Sequence, residues 1–202
     1  MSIDSVTKPS PWTWFRHFER RSRLAYESKE TELGAAGSRY RTRSLIWNPD
    51  ETKYNSAEWT EVLRVFLSRF ATWYGYVQEW EWKNVDCAWF LTRSLAPSVL
   101  IELENDSSSI CKKKKRNNQI GEVPKLRRKL VRSGKGALGV LITYRSSVKN
   151  RDDIVERVER ELDGAKWLRR RFLLILGESD AWRRPLRWDG LFWNGERLQL
   201  IE

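Results

Sequence analysis

Two glutamates one residue apart close an apolar run. "VLIELEND", residues 99–106, sets Glu102 and Glu104 at its end, with Asn105 and Asp106 behind. In a strand, Leu100, Glu102 and Glu104 share one face, while Val99, Ile101 and Leu103 share the other. Side chains two residues apart are separated by about 6–7 Å along a strand. Both carboxylates can therefore reach one small cation, or the water beside it. Upstream, "VDCAWFL" puts Asp86 on one face with Ala88 and Phe90. Antiparallel pairing of the two runs about a register centre at residue 94 sets Asp86 opposite Glu102. Three carboxylates gathered there repel one another unless a divalent cation compensates them. Mg²⁺, or Mn²⁺ in its place, is the expected ion, because Mg²⁺ binds through one or two carboxylates plus substrate phosphate. Such an ion can activate water and stabilise a leaving oxygen in phosphodiester hydrolysis. The plainer alternative is an acidic pair on a solvated strand end, balanced by arginine or lysine.

Other chemistries have little to work with. His17 is the only histidine and sits in an aromatic-rich segment, where it reads as an ordinary member of an aromatic cluster. A Ser-His-Asp or Cys-His engine would depend on it, and zinc hydrolases normally need more imidazoles. "GKGALG", residues 134–139, has the spacing of neither common phosphate loop. Cys87 and Cys111 form no disulfide framework and no zinc pattern. Any reaction must be carried by carboxylates, lysines and a metal.

The whole chain agrees with a polyanionic partner. Its 202 residues carry 38 basic and 27 acidic side chains, a formal net charge of +11. That excess favours nucleic acid first and an acidic membrane surface second. At 40% hydrophobic and 32% charged the composition is globular. No run approaches the ~18–20 apolar residues needed to cross a bilayer, and no signal-peptide apolar region opens the sequence. The expectation is a reduced, cytoplasmic protein with no membrane partner, and a homodimer is compatible with the sequence.

The elements that must position these residues are legible from residue 56. Ser56 can cap a helix whose apolar stripe is Trp59, Val62, Leu63, Phe66, Leu67, Phe70 and Trp73, ending near Gly75. Three strands follow: "YVQEWEW", then "VDCAWFL" after the turn-like Lys83-Asn84, then "SVLIELEN" after Pro97. A lysine-rich loop covers 106–119. A helix begins around Val123-Pro124, with Val123, Leu126 and Leu130 inward, and Gly134 ends it. "ALGVLITY", residues 137–144, reads as a central strand covered on both faces. Asp152 or Asp153 opens another helix, with Ile154, Val155, Val158 and Leu162 inside, and "RFLLILGE" is a further strand. In the tail, Asp189-Gly190 and Asn194-Gly195 read as hairpin turns of a small β meander. Before residue 56, "PWTWFRHFERRSRLAY" suggests a helix with Trp14, Phe18 and Arg21 or Ser22 at helical spacing. The expected organisation is an N-terminal extension (1–55) packing on an α/β core (56–177), followed by the meander (178–202).

From 56 to 144 the order is helix, three strands, helix, strand, with an acid on the second strand and an acidic pair on the third. This resembles the PD-(D/E)XK nuclease superfamily, whose core is restriction-endonuclease-like, over less than half of the chain. The resemblance implies an α/β fold with a mixed central sheet flanked by helices in αβββαβ order. It also implies Mg²⁺-dependent nuclease chemistry. Asp86 and Glu102 would hold the metal. Glu104, standing where the family has lysine, would ligate it or position water. Lys125 on the following helix would steady the developing charge, with Lys129 one turn on. Glu122, and Glu58 or Glu61 in the first helix, are further candidate ligands. The family's proline is absent, with Val85 in its place.

For nucleic acid, DNA ahead of RNA, the contact candidates are Lys112, Lys113, Lys114, Lys115 and Arg116, directly after the carboxylate strand. The cluster also reads as a nuclear localisation signal or a solvated charge run. Trp167, Trp182 and Trp188, interleaved with Arg169–Arg171, Arg183, Arg184 and Arg187, could stack on bases or simply pack in the core. The expected function is a metal-dependent nuclease. The alternatives are an inactive relative that binds nucleic acid, or a basic protein-interaction module.

Overall fold

The computed structural model describes residues 10–27, 56–92, 94–104, 110, 121–134, 136–145, 148–178 and 188–202. Helix α1 runs Pro11–Glu27. Pro11 suits a first helical position, and Ser10 Oγ accepts the Thr13 N–H at 3.1 Å as the cap. Trp14, Phe15, Phe18 and Ser22 are buried along it. Helix α2, Ser56–Trp73, buries Leu63, Phe66, Leu67 and Phe70. Strands β1 (Tyr76–Trp82) and β2 (Val85–Leu91) form a hairpin. Its turn residues Lys83 and Asn84 have φ of 49° and 66°, the left-handed pair that matches strand twist in a two-residue turn.

Strand β3 (Val99–Glu104), helix α3 (Glu122–Arg132), strand β4 (Leu138–Arg145), helix α4 (Val148–Leu162) and strand β5 (Phe172–Glu178) follow. A short 3-10 turn at Lys166–Leu168 precedes β5. Strands β6 (Trp188–Trp193) and β7 (Leu198–Leu200) complete the chain. All seven strands form one open mixed sheet in chain order, β1 to β7. β3, β4 and β5 are parallel, joined through α3 and α4, and every other pairing is antiparallel. The protein is therefore α/β, with a mixed sheet between helices, and α2-β1-β2-β3-α3-β4 is the expected order.

Side-chain alternation divides the core in two. α1 and α2 cover one face, meeting Cys87, Trp89, Ile101, Val140, Ile142 and Ile175. α3 and α4 cover the other, meeting Ala88, Leu100, Leu141, Leu174 and Leu191. Each fully buried Leu, Ile or Phe contributes roughly 1.5–3 kcal/mol. β4 is central and buried on both faces, as its unbroken apolar run predicts.

Four local expectations change. α4 begins at Val148, not at Asp152 or Asp153, so both aspartates are exposed residues on its first turns. Trp73 is 42% exposed rather than part of the stripe, because α2 ends there; the Arg21 guanidinium covers its ring at 4.6 Å. Asp189-Gly190 is not a turn but lies inside β6. Glycine is needed there because Phe15 of α1 presses on the strand, and a Cβ at Gly190 would land on its ring. Asn194-Gly195 is the turn: Gly195 has φ of 106°, and Asn194 Oδ1 accepts the N–H groups of Glu196 and Arg197, both at 2.9 Å. The tail strands extend the main sheet, since β6 pairs with β5. Among the described residues no helix is long and apolar enough to cross a membrane.

Candidate active site

The β2–β3 ladder pairs Cys87 with Ile101, Ala88 with Leu100 and Trp89 with Val99. Each pair is centred on residue 94, the register inferred from the sequence. Extending it by one step brings Asp86 to Glu102, but there the ladder gives way to a side chain. Asp86 Oδ2 accepts the backbone N–H of Leu103 at 2.7 Å, which holds the carboxylate against β3 on the face of Glu102.

Glu102 is 0% exposed, beneath the first turn of α3. That turn carries Glu122 and Lys125 three residues apart, so their side chains meet on one side of the helix. The Lys125 ammonium lies 2.9 Å from Glu102 Oε2 and also contacts Glu122. Lys125 is thus the partner of Glu102 Oε2, while Glu102 Oε1 has no hydrogen-bond partner among the described residues. Glu102 and Glu122 share one ammonium, and the nearby Asp86 charge acts on Glu102 as well. Burial first, then the Asp86 and Glu122 charges, push the Glu102 carboxyl up to about 10, against the pull of Lys125. Burial pulls Lys125 down, yet the Glu102 and Glu122 carboxylates outweigh it, so the ammonium is held charged. A carboxyl group buried in this way keeps its proton unless a further cation compensates it, and such perturbed groups concentrate at functional sites.

Glu104 is half-buried on the same face, level with Thr143 of β4. Lys129 does not join the cluster; its ammonium contacts the Lys83 carbonyl in the β1–β2 turn. Of the residues expected from the sequence, Asp86, Glu102 and Lys125 therefore come together, Glu122 joins them, and Glu104 follows along β3. Among the described residues no three histidine, cysteine, aspartate or glutamate side chains already form a metal cage. The oxygen donors present, Asp86, Glu102 and Glu122, are of the type a hard cation takes, and such an ion would compete with Lys125 for Glu102 Oε2. The side chains of Glu58 and Glu61 and the cluster Lys112–Arg116 lie outside the described residues, as do Asn105, Asp106 and Cys111.

The remaining candidates divide. His17 stacks on Tyr74 at 4.6 Å; burial, then Arg20 and Arg21, lower its pKa. Cys87 is buried, and burial pushes its thiol up to about 12. Trp188 is core, whereas Trp167 is 40% exposed with Arg171 over its ring at 5.6 Å. Arg171 also donates to the Ala137, Leu130 and Gly134 carbonyls, which close the end of α3. Trp182, Arg183, Arg184 and Arg187 lie outside the described residues.

No protein-family model matches this sequence, and no curated protein matches it. Among solved structures, the crystal structure of the central domain of yeast acetyl-CoA carboxylase is similar, at 8% identity and a TM-score of 0.38. The alignment covers 92% of this chain and 34% of that one. At that score the likeness carries no argument about fold or function.

Proposed function

We propose that this protein is a metal-dependent nuclease, hydrolysing phosphodiester bonds in DNA, and a divergent relative of the PD-(D/E)XK superfamily. The observation that carries the reading is Glu102: a fully buried carboxyl group beside two further acids, with Lys125 as the one cation in contact with it among the described residues. Asp86 and Glu102 would hold Mg²⁺ or Mn²⁺, with Glu104 as a further ligand or the residue that positions water. The ion would supply water activation and leaving-group stabilisation. Lys125 supplies a positive charge to the phosphate as negative charge develops on it. The net charge of +11 draws the polyanion to the surface.

The absence of a ready three-ligand cage among the described residues favours a second reading, an inactive relative that binds nucleic acid. Plasmid cleavage in Mn²⁺ separates the two. Nuclease function requires cleavage that disappears in EDTA and in Glu102→Ala and Asp86→Ala. DNA binding without metal-dependent cleavage in the wild type would leave the second reading.

A further inference from the structure

The surface at the far end of α3 from the carboxylates has a different chemistry. Trp167, in the 3-10 turn ahead of β5, is 40% exposed, although tryptophan is highly buried on average. Lys166, Arg169 and Arg170 flank it in the chain, and all three are exposed. Arg171 ties this turn to α3, with its guanidinium over one face of the Trp167 ring and its N–H groups on the Leu130, Gly134 and Ala137 carbonyls. Those bonds commit Arg171 to the fold. They also set the turn beside the last residues of α3, where Arg132 is exposed.

Lys166, Arg169, Arg170 and Arg132 thus gather near one exposed indole. Among the described residues none of their side chains forms an ion pair or a hydrogen bond, and Asp163 and Glu196 on the adjoining turns leave them unpaired. Like charges so placed repel one another, and an anionic partner relieves the repulsion. Two contacts fix the arginines in place. Arg170 takes a φ of 57°, the left-handed conformation that favours glycine, and its N–H is held by the Trp193 carbonyl at 2.8 Å. The Arg169 stem lies alongside Gly195 in the β6–β7 turn.

We infer that this surface binds single-stranded DNA, with an unpaired base stacked on Trp167 and backbone phosphates held by Lys166, Arg169, Arg170 and Arg132. A cationic patch alone fits any polyanion. The exposed indole narrows the class, because a duplex keeps its bases stacked on one another, whereas a single strand offers a base face to an aromatic ring. The inference goes beyond the nuclease reading and does not need it. Helix α3 puts about 15 Å between Glu122 in its first turn and Arg132 in its last, so this surface binds without the carboxylates.

The test is fluorescence anisotropy in EDTA across a salt series. The probes are a labelled DNA strand of about 12 nucleotides and the duplex it forms with its complement. The wild type should bind the single strand more tightly than the duplex. Trp167→Ala should weaken single-strand binding about tenfold, leaving the salt slope and the duplex affinity unchanged, and Trp167→Phe should keep most of the affinity. Replacing Arg169 and Arg170 together by alanine should reduce the salt slope by about two. If the wild type does not bind the single strand, or if Trp167→Ala changes neither probe or both equally, the turn merely covers the end of α3 and the inference is overturned. Because the assay needs no metal, the predicted binding pattern in a protein that fails to cleave in Mn²⁺ would overturn the nuclease reading alone.

Discussion

The Lys125 ammonium bridges two carboxylates, lying 2.9 Å from Glu102 Oε2 and in contact with Glu122. It stands where a divalent cation would neutralise the same pair, so lysine and metal compete for these oxygens. Lys125→Met should therefore bind Mn²⁺ more tightly yet cleave DNA about 10²–10³-fold more slowly, having lost a charge aimed at the phosphate. Mn²⁺ titration by thermal shift, beside a cleavage assay, separates the two effects. Weaker metal binding in Lys125→Met would show that the lysine supports the ion instead of excluding it.

The raised pKa of Glu102 makes metal-free stability depend on pH. Its carboxyl ionises near 4.5 unfolded and about 10 folded, so the folded state holds the proton more tightly. The resulting stabilisation is complete below the unfolded value and is lost as pH rises from there through the folded value. Glu102→Gln keeps the shape and removes the ionisation. In EDTA it should be more stable than the wild type at pH 8, on the order of 1–3 kcal/mol, with a shallower decline between pH 5 and 9. Urea unfolding across pH measures this, and an unchanged slope would place the pH dependence elsewhere.

Asp86 combines a structural contact with the proposed metal contact. Its Oδ2 receives the Leu103 N–H where the β2–β3 ladder ends. Asp86→Ala should cost about 1–3 kcal/mol by stranding that donor, and abolish cleavage as well. Asp86→Asn can still accept the N–H through its amide oxygen, so it should keep most of the stability while losing cleavage. Chemical denaturation of both variants, with plasmid assays, checks the split.

Gly190 tests the seat of α1. A Cβ there would strike the Phe15 ring, so Gly190→Ala should destabilise by roughly 1–3 kcal/mol. Phe15→Leu in that background should recover part of the loss, giving a coupling energy in a double-mutant cycle. Strict additivity would mean that α1 shifts freely over β6.

Much of the frame is readable without coordinates because its causes are local. Turn residues Lys83 and Asn84 set the β1–β2 register, centred between them, and the alternation of "VDCAWFL" and "VLIELE" points to a second register centred on residue 94, in which β2 and β3 pair. The helix in fact begins at Glu122, just ahead of the expected start, and this puts Glu122 and Lys125 on one side of its first turn. Glycine is less legible: Gly190 and Gly195 follow similar partners in the chain, yet one meets an aromatic ring and the other turns a hairpin.

The sequence by itself determined which acids share a strand face, which lysine follows on the next helix, and the order of elements from α2 to β4. Only the tertiary structure decided that α3 lies over Glu102 and removes it from water, that Lys125 rather than Lys129 reaches it, and that Arg151 of α4 meets Asp189 of β6. The reason is physical. Alternation and helical spacing arise within a few residues, whereas burial and long-range charge pairing exist only once distant segments pack, and here that packing sets the charge state of Glu102.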